Sequence, residues 1–158
     1  MKNVKLEKRE VKFKKLSENA VLPHYATAGA AGFDFHAAEG TVIEPHQTVI
    51  VKTDLAVELP TDLELQVRCR SGIAFKTPLI VKNAPGTVDS DYRGNIGIIL
   101  HNLSDAPYLV EKGERIAQGV IAPVVQINIV EADELSDTDR GEGGFGSSDE
   151  KNNAEQEA

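Results

Sequence analysis

The chain has 158 residues, enough for one domain with a real core, and 41% of them are hydrophobic, an ordinary share for a globular protein. No apolar run approaches the roughly 20 residues that span a bilayer, and Cys69 is the only cysteine, which excludes an internal disulfide and fits a reducing, cytoplasmic setting. The net charge of −8 is unevenly placed: residues 1–130 carry 15 basic and 15 acidic side chains, residues 131–158 carry 2 and 10. So acidic an end argues against non-specific nucleic-acid binding.

The first 16 residues, MKNVKLEKREVKFKKL, mix charges closely and contain no apolar h-region, so they do not read as a signal peptide. They read instead as a solvated edge strand or arm. Residues 28–39, AGAAGFDFHAAE, follow: small residues that let backbones approach, then Asp34 between Phe33 and Phe35 in an alternating strand. A carboxylate so placed needs a partner, either a salt bridge or a metal.

Further strands are expected at residues 48–53, 56–59, 63–69, 94–102 and 115–125, separated by Gly, Pro, Asn and Asp. In residues 63–69, Leu63, Leu65, Val67 and Cys69 share one face and Glu64, Gln66 and Arg68 the other, which makes Cys69 a small buried hydrophobe. With few aromatics and no Trp, the core is expected to rest on Val, Ile, Leu and Ala. One short helix is expected at residues 71–76, ended by Thr77-Pro78. Arg70, Ser71 and Gly72 open it, where free N–H groups, a guanidinium and a hydroxyl make a candidate phosphate site.

Residues 83–94, NAPGTVDSDYRG, are expected to form a hairpin with a wide loop. Asp89 and Asp91 fall to one side of an extended backbone, as a general base beside a structural carboxylate or as an acidic turn with a capping Asp; Arg93 is a ready partner for one of them. Residues 112–118, KGERIAQ, read as a turn and strand entry with a paired, buried Arg115 and with Gln118 within reach of a phosphate. Residues 140–148, RGEGGFGSS, combine four glycines with Arg140, Phe145, Ser147 and Ser148, as an anion-binding nest or a flexible linker; no Walker pattern is present. The ensuing acidic residues, 149–158, have nothing to bury and are expected to be disordered.

Five segments in this order, AGAAGFDFHAAE, RSGIA, NAPGTVDSDYRG, GERIAQ and RGEGGFGSS, resemble the trimeric dUTPase family from about residue 12 to residue 148. The resemblance implies an all-β, distorted jelly-roll or β-clip subunit with at most one short helix, forming a homotrimer with shared active sites. The β domain would occupy residues 1–130, and residues 131–158 would form an arm with a phosphate lid at 140–148. The reaction implied is hydrolysis of dUTP to dUMP and pyrophosphate with Mg2+, keeping uracil out of DNA and supplying dUMP for thymidylate synthesis.

In that scheme Asp89 activates the water that attacks the α-phosphorus. Asn83, with the backbone of Gly86, Thr87, Val88 and Gly97, reads uracil, and Tyr92 packs under the deoxyribose. Arg70, Ser71, Gly72 and Gln118 bind phosphates, while Asp34 touches the metal through water. Arg140, Phe145, Gly146, Ser147 and Ser148 fold over from a third subunit, with Phe145 stacked on uracil; Asp91, Arg93 and Arg115 look structural. Two rivals are a dCTP deaminase, which would need a glutamate base, and a regulatory module contacting a partner protein. The spacing from Gln118 to Arg140 looks too short for the insert such modules usually carry.

Overall fold

The computed structural model describes residues 8–145, in two compact units, one running to Val125 and the other starting at Gln126. Among the described residues the first unit is built from eleven strands and one helix. These are β1 (Lys12–Lys15), β2 (Phe33–His36), β3 (Thr41–Ile43), β4 (Thr48–Lys52), β5 (Leu55–Glu58), β6 (Leu63–Arg68), α1 (Ser71–Lys76), β7 (Leu79–Val81), β8 (Gly86–Val88), β9 (Gly97–Asn102), β10 (Tyr108–Val110) and β11 (Arg115–Pro123). Every pairing is antiparallel, in four sheets ordered β1-β5, β10-β3, β2-β11-β6-β8 and β4-β9-β7. This is a distorted jelly roll with one short helix. No helix among the described residues is long and apolar enough to cross a membrane.

Alternation decides the faces. In β6, Leu63, Leu65 and Val67 are buried; Glu64 and Gln66 are half-buried, and Arg68 is exposed. The outer three form a polar lane, with Gln66 donating to Glu64 at 2.7 Å and Arg68 Nε donating to Gln66 at 3.1 Å. Inward residues of all four sheets meet in one core that includes Leu55, Leu65, Leu79, Ile98, Leu100 and Ile116. Aliphatics dominate it, yet Phe33 and Phe35 are also buried there. The core rests on Val, Ile, Leu and Ala as expected, with the two β2 aromatics added to it. Two aromatics on alternate positions of β2 suffice to stack edge to face, with centroids 5.5 Å apart.

Cys69 is half-buried rather than buried: it packs against the core just past the end of β6, and its Sγ accepts from the Val81 N–H at 3.2 Å. Helix α1 stops where Pro78 disfavours the helical region for its predecessor, and Thr77 is extended at φ −131° and ψ 161°.

The segment expected to be a hairpin with a wide loop has a different construction. The paired arms are β7 and β9, and within the wide connection β8 crosses over to pair with β6 of the other sheet. The strand expected from residue 94 begins only at Gly97, because residues 94–96 are taken up by the loop's anchorage. The three-residue strands β3, β7, β8 and β10 were not foreseen: they are too short to show a period.

Candidate active site

The polar face of the β2-β11-β6-β8 sheet carries one cluster of charge. Asp34 on β2, Gln118 on β11 and Arg68 on β6 stand in register across three strands. Asp34 Oδ1 accepts from Arg70 Nε at 2.7 Å, and Oδ2 accepts from Arg115 Nη1 at 3.4 Å. Both partners of the first pair are about three-quarters covered, at 23% and 25% exposure. The salt-bridged reading of Asp34 is thus met. Arg115 is paired as expected but not buried, at 57% exposure, because it enters β11 at a bulge on the strand's rim. Beside it stands His36, whose Nδ1 is buried and has no hydrogen-bond partner among the described residues. Burial pushes the imidazole below its ordinary range against the pull of Asp34, and Arg115 adds to the lowering.

Gln118 sets the position of Arg70. Its Nε2 donates to the Cys69 carbonyl at 2.8 Å, fixing the backbone as it leaves β6. Arg70 then caps α1 through its backbone alone, with no side-chain capping bond, which leaves its guanidinium to Asp34 and, at 3.5 Å, the Arg115 carbonyl. Ser71 and Gly72 are exposed at the helix start.

Asn83 precedes a cis Ala84–Pro85 bond. Its side chain folds over buried Gly86, where a Cβ would fall 2.7 Å from Asn83 Nδ2. Thr87 is exposed and Val88 half-buried on β8. Asp89 leaves the end of that strand exposed, and among the described residues its carboxylate makes no hydrogen bond. Arg93 does not pair with Asp89 or Asp91: its Nη1 donates to the carbonyls of Ser90, at 2.6 Å, and Tyr92. In a tight loop these carbonyls lie closer to it than either carboxylate. Tyr92 donates its hydroxyl to the Asn95 carbonyl at 3.0 Å, and Gly97 opens β9 opposite Lys52.

These residues do not converge within one chain. Val88 pairs with Leu65, so Asp89 lies level with Glu64, six residues before Arg70. At about 3.3 Å per residue that is roughly 20 Å along β6. Asp34 is on the opposite edge of the sheet from β8, three strand spacings or about 14 Å away before any lengthwise offset. One chain therefore presents two separate groups, an arginine–carboxylate cluster and a loop whose carboxylate makes no hydrogen bond among the described residues.

Arg140 and Phe145 belong to the second unit. Arg140 Nε donates to the Gly143 carbonyl at 2.7 Å, and Gly141 and Phe145 have positive φ of 52° and 49°. Gly146, Ser147 and Ser148 lie outside the described residues, as does the acidic end. Sequence reasoning missed Asp54 and Asn95, which bond to each other beneath Tyr92. The only signal was an Asp directly after a β-branched run and an Asn before one, both common at turns.

Comparison with known proteins supplies the rest. The family model for dUTPase matches residues 18–149. The deoxyuridine 5′-triphosphate nucleotidohydrolase of Nautilia profundicola is 52% identical over 138 residues, 87% of this chain and 97% of the relative. A mutant dUTPase of Staphylococcus bacteriophage 80alpha, solved with dUpNHpp, superposes with a TM-score of 0.83 at 33% identity, covering 89% of this chain and 99% of that one. A mutant dUTPase from phage phi11 of S. aureus, solved with details of the coordination of a structural Mg(II) ion, gives 0.77 at 28% identity, over 82% of this chain and all of that one. With one family's model spanning most of its length and a relative identical at half the aligned positions, the chain belongs to the dUTPase family.

Proposed function

We propose that the protein hydrolyses dUTP to dUMP and pyrophosphate in sites shared between the subunits of a homotrimer. The observation that carries the shared site is the roughly 20 Å along β6 between the level of Asp89 and Arg70. A nucleoside triphosphate cannot meet both half-sites of one chain, so the loop of one copy faces the arginine cluster of another. Support comes from Ile127 and Ile129 of the second unit, apolar at alternate positions and exposed at 76% and 86%, left for another copy to cover.

Within that site Asn83 and the backbone of Gly86, Thr87, Val88 and Gly97 read the uracil edge, leaving no room for a 5-methyl group. Cytosine would set an amino donor against donors and is rejected. Tyr92 lies under the deoxyribose. Arg70, Ser71, Gly72 and Gln118, from a neighbouring copy, hold the phosphates. Asp89, free of other hydrogen bonds, orients a water and takes its proton as the water attacks the α-phosphorus in line. Arg140, Phe145, Gly146, Ser147 and Ser148 close as a lid from a third copy, Phe145 on the base and Arg140 with the hydroxyls on the γ-phosphate.

No group of three or more His, Cys, Asp or Glu side chains among the described residues makes a metal cage. Mg2+ commonly takes its ligands from phosphates and water, and Asp34 would then accept from a metal-bound water. Mg2+ when bound neutralises triphosphate charge and fixes its conformation. The reaction places the protein in nucleotide metabolism in the cytoplasm, lowering dUTP and supplying dUMP.

The test is to mix the protein with each deoxynucleoside triphosphate and Mg2+, following proton and pyrophosphate release. Release from dUTP alone, abolished by EDTA, is expected. Ammonia from dCTP, or no turnover of any nucleotide, would overturn the reading.

A further inference from the structure

Asp54 and Asn95 face each other beneath the loop that carries Tyr92. Asn95 Oδ1 accepts from the Asp54 N–H at 3.1 Å while Asn95 Nδ2 donates to Asp54 Oδ1 at 2.7 Å. The other carboxylate oxygen, Asp54 Oδ2, accepts from Ser17 Oγ at 2.6 Å. The backbone on both sides is tied as well: Leu16 N–H donates to Asp54 O at 2.8 Å, Thr53 N–H and Oγ1 both donate to Ile96 O, and Ile96 N–H donates to Leu55 O. Asp54 holds φ +52°, a left-handed conformation that Asp and Asn tolerate better than other residues with a Cβ. An uncommon backbone conformation held by a closed polar network is often found where geometry serves a site.

That network ends on Tyr92. The Tyr92 hydroxyl donates to the carbonyl of Asn95 itself, at 3.0 Å, and the ring covers Gly94 so closely that a Cβ there would overlap it. The ring's free side is open, at 46% exposure. Its position is therefore set by Asn95, the residue that Asp54 clamps.

We propose that Asp54 and Asn95 are positioning residues for sugar discrimination, holding the Tyr92 ring at the height that leaves no space for a 2′-hydroxyl on a uridine triphosphate. This rests on the reading of Tyr92 as the wall under the deoxyribose. Rejecting one hydroxyl by shape is a weak means of selection unless the wall cannot yield, since an apolar surface gains little by itself against an added hydroxyl. A ring on an untethered loop would retreat by the ångström or so required. A ring anchored to a clamped carbonyl does not.

The test uses the full chain and compares kcat/KM for dUTP with that for UTP. Asn95→Asp sets two carboxylates face to face with no side-chain donor between them, only the Asp54 N–H remaining, and should lower the dUTP/UTP ratio about tenfold, mainly through a higher kcat/KM for UTP. Adding Asp54→Asn restores a donor: the amide introduced at 54 donates to the carboxylate introduced at 95 and still accepts from Ser17. The double variant should return the ratio to within about threefold of the original, which a general loss of stability would not do. Ser17→Ala removes only the outer tie and should lower the ratio about threefold, a reading that stands even where Asn95→Asp does not fold.

A folded Asn95→Asp with an unchanged ratio, a double variant no better than the single one, or an unchanged ratio in Ser17→Ala would each overturn the proposal. A wild-type protein that hydrolyses neither nucleotide would overturn the functional reading beneath it. A wild-type protein that hydrolyses both equally would overturn the role given to Tyr92. Both outcomes take this proposal with them and are recognisable before any variant is made.

Discussion

Gly119 is the position where one added methyl group should cost most. It lies buried on β11, paired with Phe33 of β2 on one side and Val67 of β6 on the other. A Cβ there would stand 2.5 Å from Phe33 Cε2, 2.8 Å from Phe35 Cε2 and 2.9 Å from Leu65 Cδ1. Carbon atoms prefer about 3.5–4.0 Å, so each neighbour must retreat by roughly an ångström. Phe33 has little room to do so, because Phe13 and Tyr25 stand edge-on to it at 5.8 and 5.7 Å. Overpacking of this kind costs about 1–3 kcal/mol, and three simultaneous clashes, two of them against rings, argue for the upper half. The stiffer unfolded chain returns about 0.4–1 kcal/mol. Gly119→Ala should thus lose about 1–2.5 kcal/mol net, a fall in Tm of about 3–8 °C at this chain length. Melting followed by circular dichroism at one fixed protein concentration measures it. Gly29→Ala, where a Cβ meets nothing within 4 Å, is the control and should melt about 1–4 °C above the original, since only the unfolded-chain gain acts there. A Gly119→Ala protein that does the same would refute the packing argument.

Asp89→Asn should keep binding a non-hydrolysable dUTP analogue while kcat falls by about 10²–10⁴, the usual worth of a general base; a near-normal kcat would remove Asp89 from that role. Truncation after Asp139 should leave a folded trimer, checked by sedimentation, with little dUTP turnover, and full activity would sink the lid assignment. Asp54 should make stability acid-sensitive. Its hydrogen bonds from Ser17 and Asn95, in that order, hold its carboxyl below the ordinary range. A group with a depressed folded pKa contributes stability that is present above the unfolded value and lost as pH falls through the folded one. Denaturation midpoints of wild type and Asp54→Asn should therefore differ above about pH 4 and converge below it; a constant difference would show that the carboxylate's charge is not involved.

How much of this the sequence disclosed depends on whether a residue's role is set locally. Leu63, Leu65 and Val67 could be read as buried because a strand's period lies in the chain itself, and α1 could be placed because Pro78 ends it. The partner of Arg93 could not be read, since two carboxylates in sequence lost to two carbonyls that only the folded loop brings closer. The crossing of β8 to β6 was equally hidden: three residues carry no period, and their ladder is chosen by a strand some twenty residues earlier. Asp54 and Asn95 show the same limit. Their bond spans 41 positions, and neither residue is unusual where it stands.

The two readings of Asp34, salt bridge and metal partner, are compatible once its lone pairs are counted. A carboxylate offers about four acceptor sites. Arg70 Nε occupies one on Oδ1 and Arg115 Nη1 one on Oδ2, leaving about two. Direct ligation of a metal would bring a third cation against the two guanidinium groups, whereas a metal-bound water needs only one free lone pair. The same bond shapes Arg70. Of its five N–H donors, Nε is taken by Asp34 and one on Nη1 reaches the Arg115 carbonyl at 3.5 Å, so the Nη2 side of the fork remains for an anion. In the proposed site, Asp34 therefore acts on the phosphates chiefly by aiming Arg70. Asp34→Asn keeps an oxygen for Nε but forfeits the ion pair, and should weaken triphosphate binding more than uridine binding. Equal losses for dUTP analogue and deoxyuridine would place Asp34 at the base rather than at the phosphates.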